Sequence, residues 1–116
     1  IEKDAFKGLK SLTRLYLNDN YLNNLMGGIF QELNSLEILD LSSNFIENIH
    51  HYTFNGLMSL RYLFLNNNKL KLIKDYYFLQ LKSLETLDLF KNQISKIEAN
   101  TFKKFENVLN YVDWSE

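Results

Sequence analysis

The sequence predicts an α/β solenoid: a chain wound into stacked coils, each adding one short strand to a parallel sheet. Three observations predict it. A skeleton of three leucines and an asparagine stands at Leu12, Leu15, Leu17, Asn20 and returns at Leu36, Leu39, Leu41, Asn44, then at Leu60, Leu63, Leu65, Asn68, and at Leu84, Leu87, Leu89, Asn92. The step is 24 residues each time, with no insertion. Two further columns share that step: Phe6, Phe30, Phe54, Phe78, Phe102, and Leu9, Leu33, Leu57, Leu81, Phe105. Self-similarity at a fixed period of this size marks a repeat architecture, in which no unit buries its apolar side alone and stacking does so.

The elements follow in order. Residues 1–11 are a partial repeat, with Ile1, Phe6 and Leu9 at the offsets later held by Ile97, Phe102 and Phe105. Four full repeats occupy 12–35, 36–59, 60–83 and 84–107, and a partial terminal repeat occupies 108–116, all within one solenoid domain spanning 1–116. In each repeat the Leu-x-Leu core reads as a strand. Alternation turns Leu39 and Leu41 inward and Ile38, Asp40 and Ser42 outward. The phenylalanine half returns as turns or short 3₁₀ or helical pieces. Beyond Val108 a straight count puts Tyr111 and Asp113 at core offsets. A slip of one residue puts Leu109, Val112 and Trp114 there instead. An unpartnered buried aspartate costs several kcal/mol, on the order of a lost desolvated charge, so the slip is expected, with Trp114 covering the last core layer.

The pattern LxxLxLxxNxL, followed by I/LxxxxFxxLxx, resembles the leucine-rich repeat in its 24-residue extracellular subtype. That subtype occurs in Toll-like receptors, Slit proteins, variable lymphocyte receptors and small matrix proteoglycans. The resemblance covers essentially the whole chain. It implies a right-handed coil with a concave parallel β-sheet and a convex side of turns, and it leaves function open because one scaffold serves many partners. In that family cysteines cluster in end caps, so interior repeats often lack them.

Composition narrows the function classes. The 116 residues carry 13 basic and 14 acidic side chains, a net charge of −1, which gives no reason to expect nucleic acid or an anionic membrane as partner. No apolar run approaches the roughly 18 residues of a membrane span, so direct membrane insertion by this segment is not expected. There is no cysteine, no proline and no Asn-x-Ser/Thr acceptor. Ile1, Phe6 and Leu9 would leave an uncapped core end in water. Solenoids need capped ends, so the expectation is part of a longer chain, or termini that pack end to end on neighbours.

The asparagine column Asn20, Asn44, Asn68, Asn92 reads as a structural ladder. A buried amide can satisfy backbone donors and acceptors where the chain leaves the sheet. The phenylalanine column reads as packing of the wide convex side. The outward strand positions are different. They hold Arg14, Ile38, Tyr62 and Thr86 in one row, Tyr16, Asp40, Phe64 and Asp88 in the next, and Asn18, Ser42, Asn66 and Phe90 with Asp19, Ser43, Asn67 and Lys91 beyond; Tyr21, Phe45, Lys69 and Gln93 lie further on. Aromatic rings among a few charges are what protein interfaces favour, and a solvated sheet should be polar. The candidate ligand-binding residues are therefore Arg14, Tyr16, Ile38, Asp40, Tyr62, Phe64, Asp88, Phe90 and Lys91. Strand propensity alone is the competing explanation for the rings.

Catalysis is not expected. Asp40 and Asp88 lie two strands apart, about 10 Å, with Phe64 between, wide of the roughly 6.5–9.5 Å used by inverting glycosidases. Ser42 and Ser43 have no histidine on their face, and Gly27 and Gly28 do not open a phosphate-binding helix. His50 and His51 lack further ligands and read as solvated loop residues, so no metal or cofactor is expected. The resemblance implies a recognition module gripping a protein ligand or co-receptor through the concave face, in innate-immune recognition or in cell-surface adhesion and guidance. The alternatives are a spacer block within a longer ectodomain, with no ligand contact of its own, and an intracellular adaptor repeat.

Overall fold

In the computed structural model, residues 1–103 and the backbone of 111–113 are described. The strand cores fall where the leucine skeleton places them: β1 (Arg14–Tyr16), β2 (Ile38–Asp40), β3 (Tyr62–Phe64), β5 (Thr86–Asp88) and β7 (Tyr111–Asp113). They form one parallel sheet in the order β1-β2-β3-β5-β7. Register follows the 24-residue step, with Leu15, Leu39, Leu63 and Leu87 opposite one another. The last pairing sets Val112 opposite Leu87, one residue beyond that step, which is the register of the slip. The packing expected of Phe105, Leu109 and Trp114 lies outside the described residues. Each strand is one residue earlier than Leu-x-Leu, but the ladder continues past it: Leu41 N–H donates to Phe64 O at 2.8 Å and Ser43 N–H to Asn66 O at 3.0 Å.

The convex half is built of turns. Successive N–H groups bond the carbonyl three residues back, as in Gln31 to Gly28, Leu33 to Phe30 and Leu36 to Leu33. This is the 3₁₀ pattern in short pieces, and among the described residues there is no α-helix. One such turn demands glycine. Gly56 has φ +88°, and a Cβ there would stand 2.0 Å from the Gln31 carbonyl oxygen. A second, narrower ribbon runs along the convex side, where β4 (Leu72–Ile73) pairs in parallel with β6 (Lys96–Ile97). Between the first two coils it shrinks to a single bridge, Asn24 to Asn48.

The core lies between the two ribbons. Leu39, Leu41, Leu63, Leu65, Leu87 and Leu89 are buried from the sheet side, and Phe30, Phe54 and Phe78 from the convex side. The phenylalanine rings stack from coil to coil: Phe6 on Phe30 at 5.8 Å between centroids, Phe54 on Phe78 at 6.2 Å, Phe78 on Phe102 at 6.4 Å. Burial weakens toward residue 1, where Leu12, Leu15 and Leu17 are half-buried and Ile1 and Leu9 are exposed.

Where the chain leaves each strand, one asparagine closes three sets of backbone groups. Asn68 Nδ2 donates to Leu41 O (3.0 Å), Leu65 O (3.1 Å) and Asn66 O (3.3 Å), while its Oδ1 accepts the Ile46 N–H at 3.0 Å. Asn44 and Asn92 repeat the arrangement one coil before and after, accepting from Leu22 and Leu70. All three are buried. Asn20 departs from the column: it is exposed and bonds only Leu17 O and Asn18 O in its own coil, no strand before β1 being among the described residues.

Candidate functional site

The candidate surface is the outward face of the sheet. Because each strand adds one residue to each row, the pairing aligns Arg14, Ile38, Tyr62 and Thr86 in one row and Tyr16, Asp40, Phe64 and Asp88 in the next. Neighbouring members lie about one strand spacing apart, close to 4.8 Å. Arg14 and Tyr16 are exposed, Tyr16 to 57 %. Ile38, Tyr62, Phe64 and Phe90 are half-buried, so none of them stands clear of the sheet. Leu63 and Leu65, between the outward rows, are fully buried.

Asp40, Asp88 and Lys91 have local partners. Asp40 Oδ1 accepts the Ser42 N–H at 2.9 Å and the Ser42 hydroxyl at 2.6 Å. Asp88 Oδ1 accepts the Phe90 N–H at 2.9 Å. Both carboxylates thereby hold the turn that follows their strand, the two-residue reach of an Asx turn. Lys91 Nζ lies 5.9 Å from the Phe90 ring centre, within cation–π range. Its backbone takes φ +55°, as do the equivalent Asp19, Ser43 and Asn67 at 59°, 54° and 57°. Aspartate and asparagine tolerate that region; lysine does not do so readily.

Two clusters border the face that the sequence reading did not count among its site residues. At the strand entry, Arg61 stands between Glu37 and Glu85, with Nη1 3.5 Å from Glu37 Oε1 and Nε hydrogen-bonded to Glu85. The Arg61 hydrogen bond holds the Glu85 carboxyl below its ordinary range, against the opposing effect of desolvation. The same bond, with the attraction of the Glu85 charge, raises the already high Arg61 value. The guanidinium carbon also sits 5.2 Å from the Tyr62 ring centre, tying the ladder to the candidate face. Opposite charges 24 residues apart, at Glu37, Arg61 and Glu85, were the available signal.

At the strand exit, Tyr21 and Phe45 stack in parallel, centroids 6.0 Å apart and planes 4° from each other. Tyr21 is 87 % exposed. Lys69 Nζ lies 6.0 Å from the Phe45 ring centre. On the convex side, His51 stacks on Tyr76 at 4.2 Å instead of standing free in solvent, although both histidines are exposed. No group of three or more potential metal ligands converges among the described residues. No helix among them is long and apolar enough to cross a membrane.

Against known proteins, residues 1–45, 35–94 and 59–110 each match the family model described as leucine rich repeat. A 48-residue stretch, 41 % of the chain, is 48 % identical to Toll-like receptor 5 of Homo sapiens. The match spans 6 % of that protein's length.

Proposed function

This chain belongs to the leucine-rich repeat family, a scaffold for protein interaction, and from that premise we propose that it is a recognition segment of an extracellular receptor or secreted binder that grips a protein through its concave face. The observation that carries the reading is the apolar content of a face of fixed geometry: Tyr16, Ile38, Tyr62, Phe64 and Phe90 stand at outward positions in three successive rows, and none of them belongs to the core. A pre-ordered sheet loses little conformational entropy on binding, which favours affinity per unit area. Tyr16, Tyr62, Phe64 and Phe90 serve as anchors; Arg14 and Lys91 set polarity. Asp40 and Asp88 contribute a negative edge while their turns hold them still. The likeness to Toll-like receptor 5 over 48 residues supports innate-immune recognition over adhesion and guidance, and an extracellular location. The mechanism is surface complementarity, with a protein ligand or co-receptor as partner and no bond-making step.

A second reading has its own support. The half-burial of Tyr62 and Phe64 is what strand-forming rings in a spacer block would show. Affinity capture with the longest native form of the protein, repeated with Tyr62→Ser and Phe64→Ser, separates the two. Recognition requires at least one captured protein to be lost by roughly 30-fold or more, the scale of an interface hot spot, with far-UV circular dichroism unchanged. An unaltered set of captured proteins establishes the spacer.

A further inference from the structure

The convex ribbon is broken between the second and third coils. Asn24 bridges Asn48, and β4 pairs with β6, but among the described residues nothing pairs the Asn48 segment with β4. The offset that holds Ala5, Ile29, Thr53 and Thr101 in other coils holds Tyr77 here, whose ring is buried and whose hydroxyl hydrogen-bonds the Ile49 backbone of the preceding coil. A groove of about 420 Å³ opens there, within the range of small-ligand sites.

The chemistry of its walls is one-sided. The polar side chains that line it include Asn48, His50, His51, Lys74 and Tyr76, and no carboxylate lines it. The Lys74 ammonium lies 5.7 Å from the Tyr76 ring centre and within hydrogen-bonding reach of its hydroxyl. His50 Nδ1 accepts the Tyr52 N–H at 3.2 Å, which leaves Nε2 as the donor on the outer side of the ring. His51 is stacked on Tyr76, so its position is held while its edge nitrogens stay in water. Of the nearest acids, Glu98 attracts the Lys74 ammonium from outside the lining, and each of the others is hydrogen-bonded or exposed. Asp75 Oδ1 accepts from Asn100 N–H (3.0 Å) and the Thr101 hydroxyl (3.2 Å), Glu98 Oε1 accepts the Asp75 N–H (2.8 Å), and Glu47 is exposed beyond the lining.

We infer that this groove on the convex side binds a small oxyanion ester, a sulfate or phosphate monoester. Lys74 supplies the permanent positive charge, and Asn48 and the His50 Nε2–H supply neutral donors. Such a tetrahedral anion accepts several hydrogen bonds at once and needs no acceptor from the protein. The inference is independent of the concave face.

Nuclear magnetic resonance titration of the protein with glucose 6-sulfate, glucose 6-phosphate and glucose tests it. The expected result is saturable shifts of the Asn48, His51 and Lys74 amides with either or both esters and none with glucose; which ester binds tighter identifies the source. Lys74→Met weakens the affinity by about tenfold or more, the loss of one charge-assisted contact. Glucose titrating like the esters, shifts that never saturate, or unchanged affinity in Lys74→Met overturns the inference. Retained amide dispersion in each variant shows that a loss of binding is not a loss of fold.

Discussion

Replacing Asn68 by leucine tests the architecture at its most concentrated point. The two side chains are close in size, so little cavity forms, and the effect is one of hydrogen bonding. Four bonds go, but their consequences are unequal. The Leu41 carbonyl keeps the Asn44 amide at 3.1 Å, and the Leu65 carbonyl keeps the Asn92 amide at 2.9 Å, because each carbonyl is shared by two asparagines of the column. The Ile46 N–H has no such substitute: Asn68 Oδ1 is its acceptor, and Ile46 is fully buried. Stranding one buried donor costs about 1–3 kcal/mol, and the weakened carbonyls add about 1 kcal/mol more, for roughly 2–4 kcal/mol in all. Asn20→Leu is the internal control. That amide is exposed and bonds only its own coil, so its loss should cost under about 1 kcal/mol. Urea unfolding followed by far-UV circular dichroism gives both numbers. Equal costs at the two positions, or an Asn68→Leu protein within about 0.5 kcal/mol of the parent, would refute the ladder as a source of stability.

The other predictions rest on separate features. Phe54→Ala removes a ring that is fully buried and stacked on Phe78, and should cost about 3–5 kcal/mol by the same unfolding assay. Lys91→Asn relieves a left-handed backbone and should stabilise by about 0.5–1 kcal/mol, seen as a melting temperature raised by a few degrees. The Glu85 carboxyl titrates lower in the folded chain than in the unfolded one. Its contribution is therefore present above the ordinary glutamate value of about 4.3 and is lost as pH falls through the depressed folded value. Both partners remain partly solvated, side-chain exposures being 44 % and 32 %, so the effect is small. Glu85→Gln should lower the melting temperature at neutral pH by about a degree and leave it unchanged below the depressed carboxyl value, so that the acid limb flattens from its neutral end.

The parts of this fold that the sequence discloses are those where a residue must answer to its copy one coil away. Leu39 faces Leu63 and Asn44 precedes Asn68 because the sheet and the exit turn demand identity at those offsets, so spacing alone reveals them. The convex ribbon is hidden for the opposite reason. A two-residue strand such as Leu72–Ile73 has no alternation to detect, and its partner Lys96–Ile97 shares only the second side-chain type. Half-burial of Tyr62 and Phe64 is also invisible in sequence, since it depends on side-chain packing and not on spacing. The Asx turns were legible in principle. Asp40 and Asp88 each stand two residues before an N–H that needs an acceptor once the strand has ended, and the equivalent Tyr16 and Phe64 mark coils that close without one.

That last contrast divides the candidate face into positions that serve the coil and positions that are free of it. Substituting Asp40 removes a turn acceptor as well as a surface charge, so a loss of binding there would carry an effect on the loop at Ser42 and Ser43 along with it. Tyr16 and Arg14 make no comparable bond, and Tyr62 contacts its surroundings through the Arg61 guanidinium over its ring. A ring held by a cation that is itself clamped between Glu37 and Glu85 is restrained before any partner arrives. If the concave face is the recognition surface, its affinity should therefore be sensitive to Arg61→Lys. Lysine keeps the charge, gives up the planar contact with Tyr62 and cannot reach both carboxylates with the same fork. Isothermal titration against a captured partner should show binding weakened several-fold with an unfavourable change in entropy, because Tyr62 must then be ordered on binding. Unchanged affinity in Arg61→Lys, with Tyr62→Ser still deleterious, would mean that the ring acts by contact alone and that the ladder beside it belongs to the scaffold.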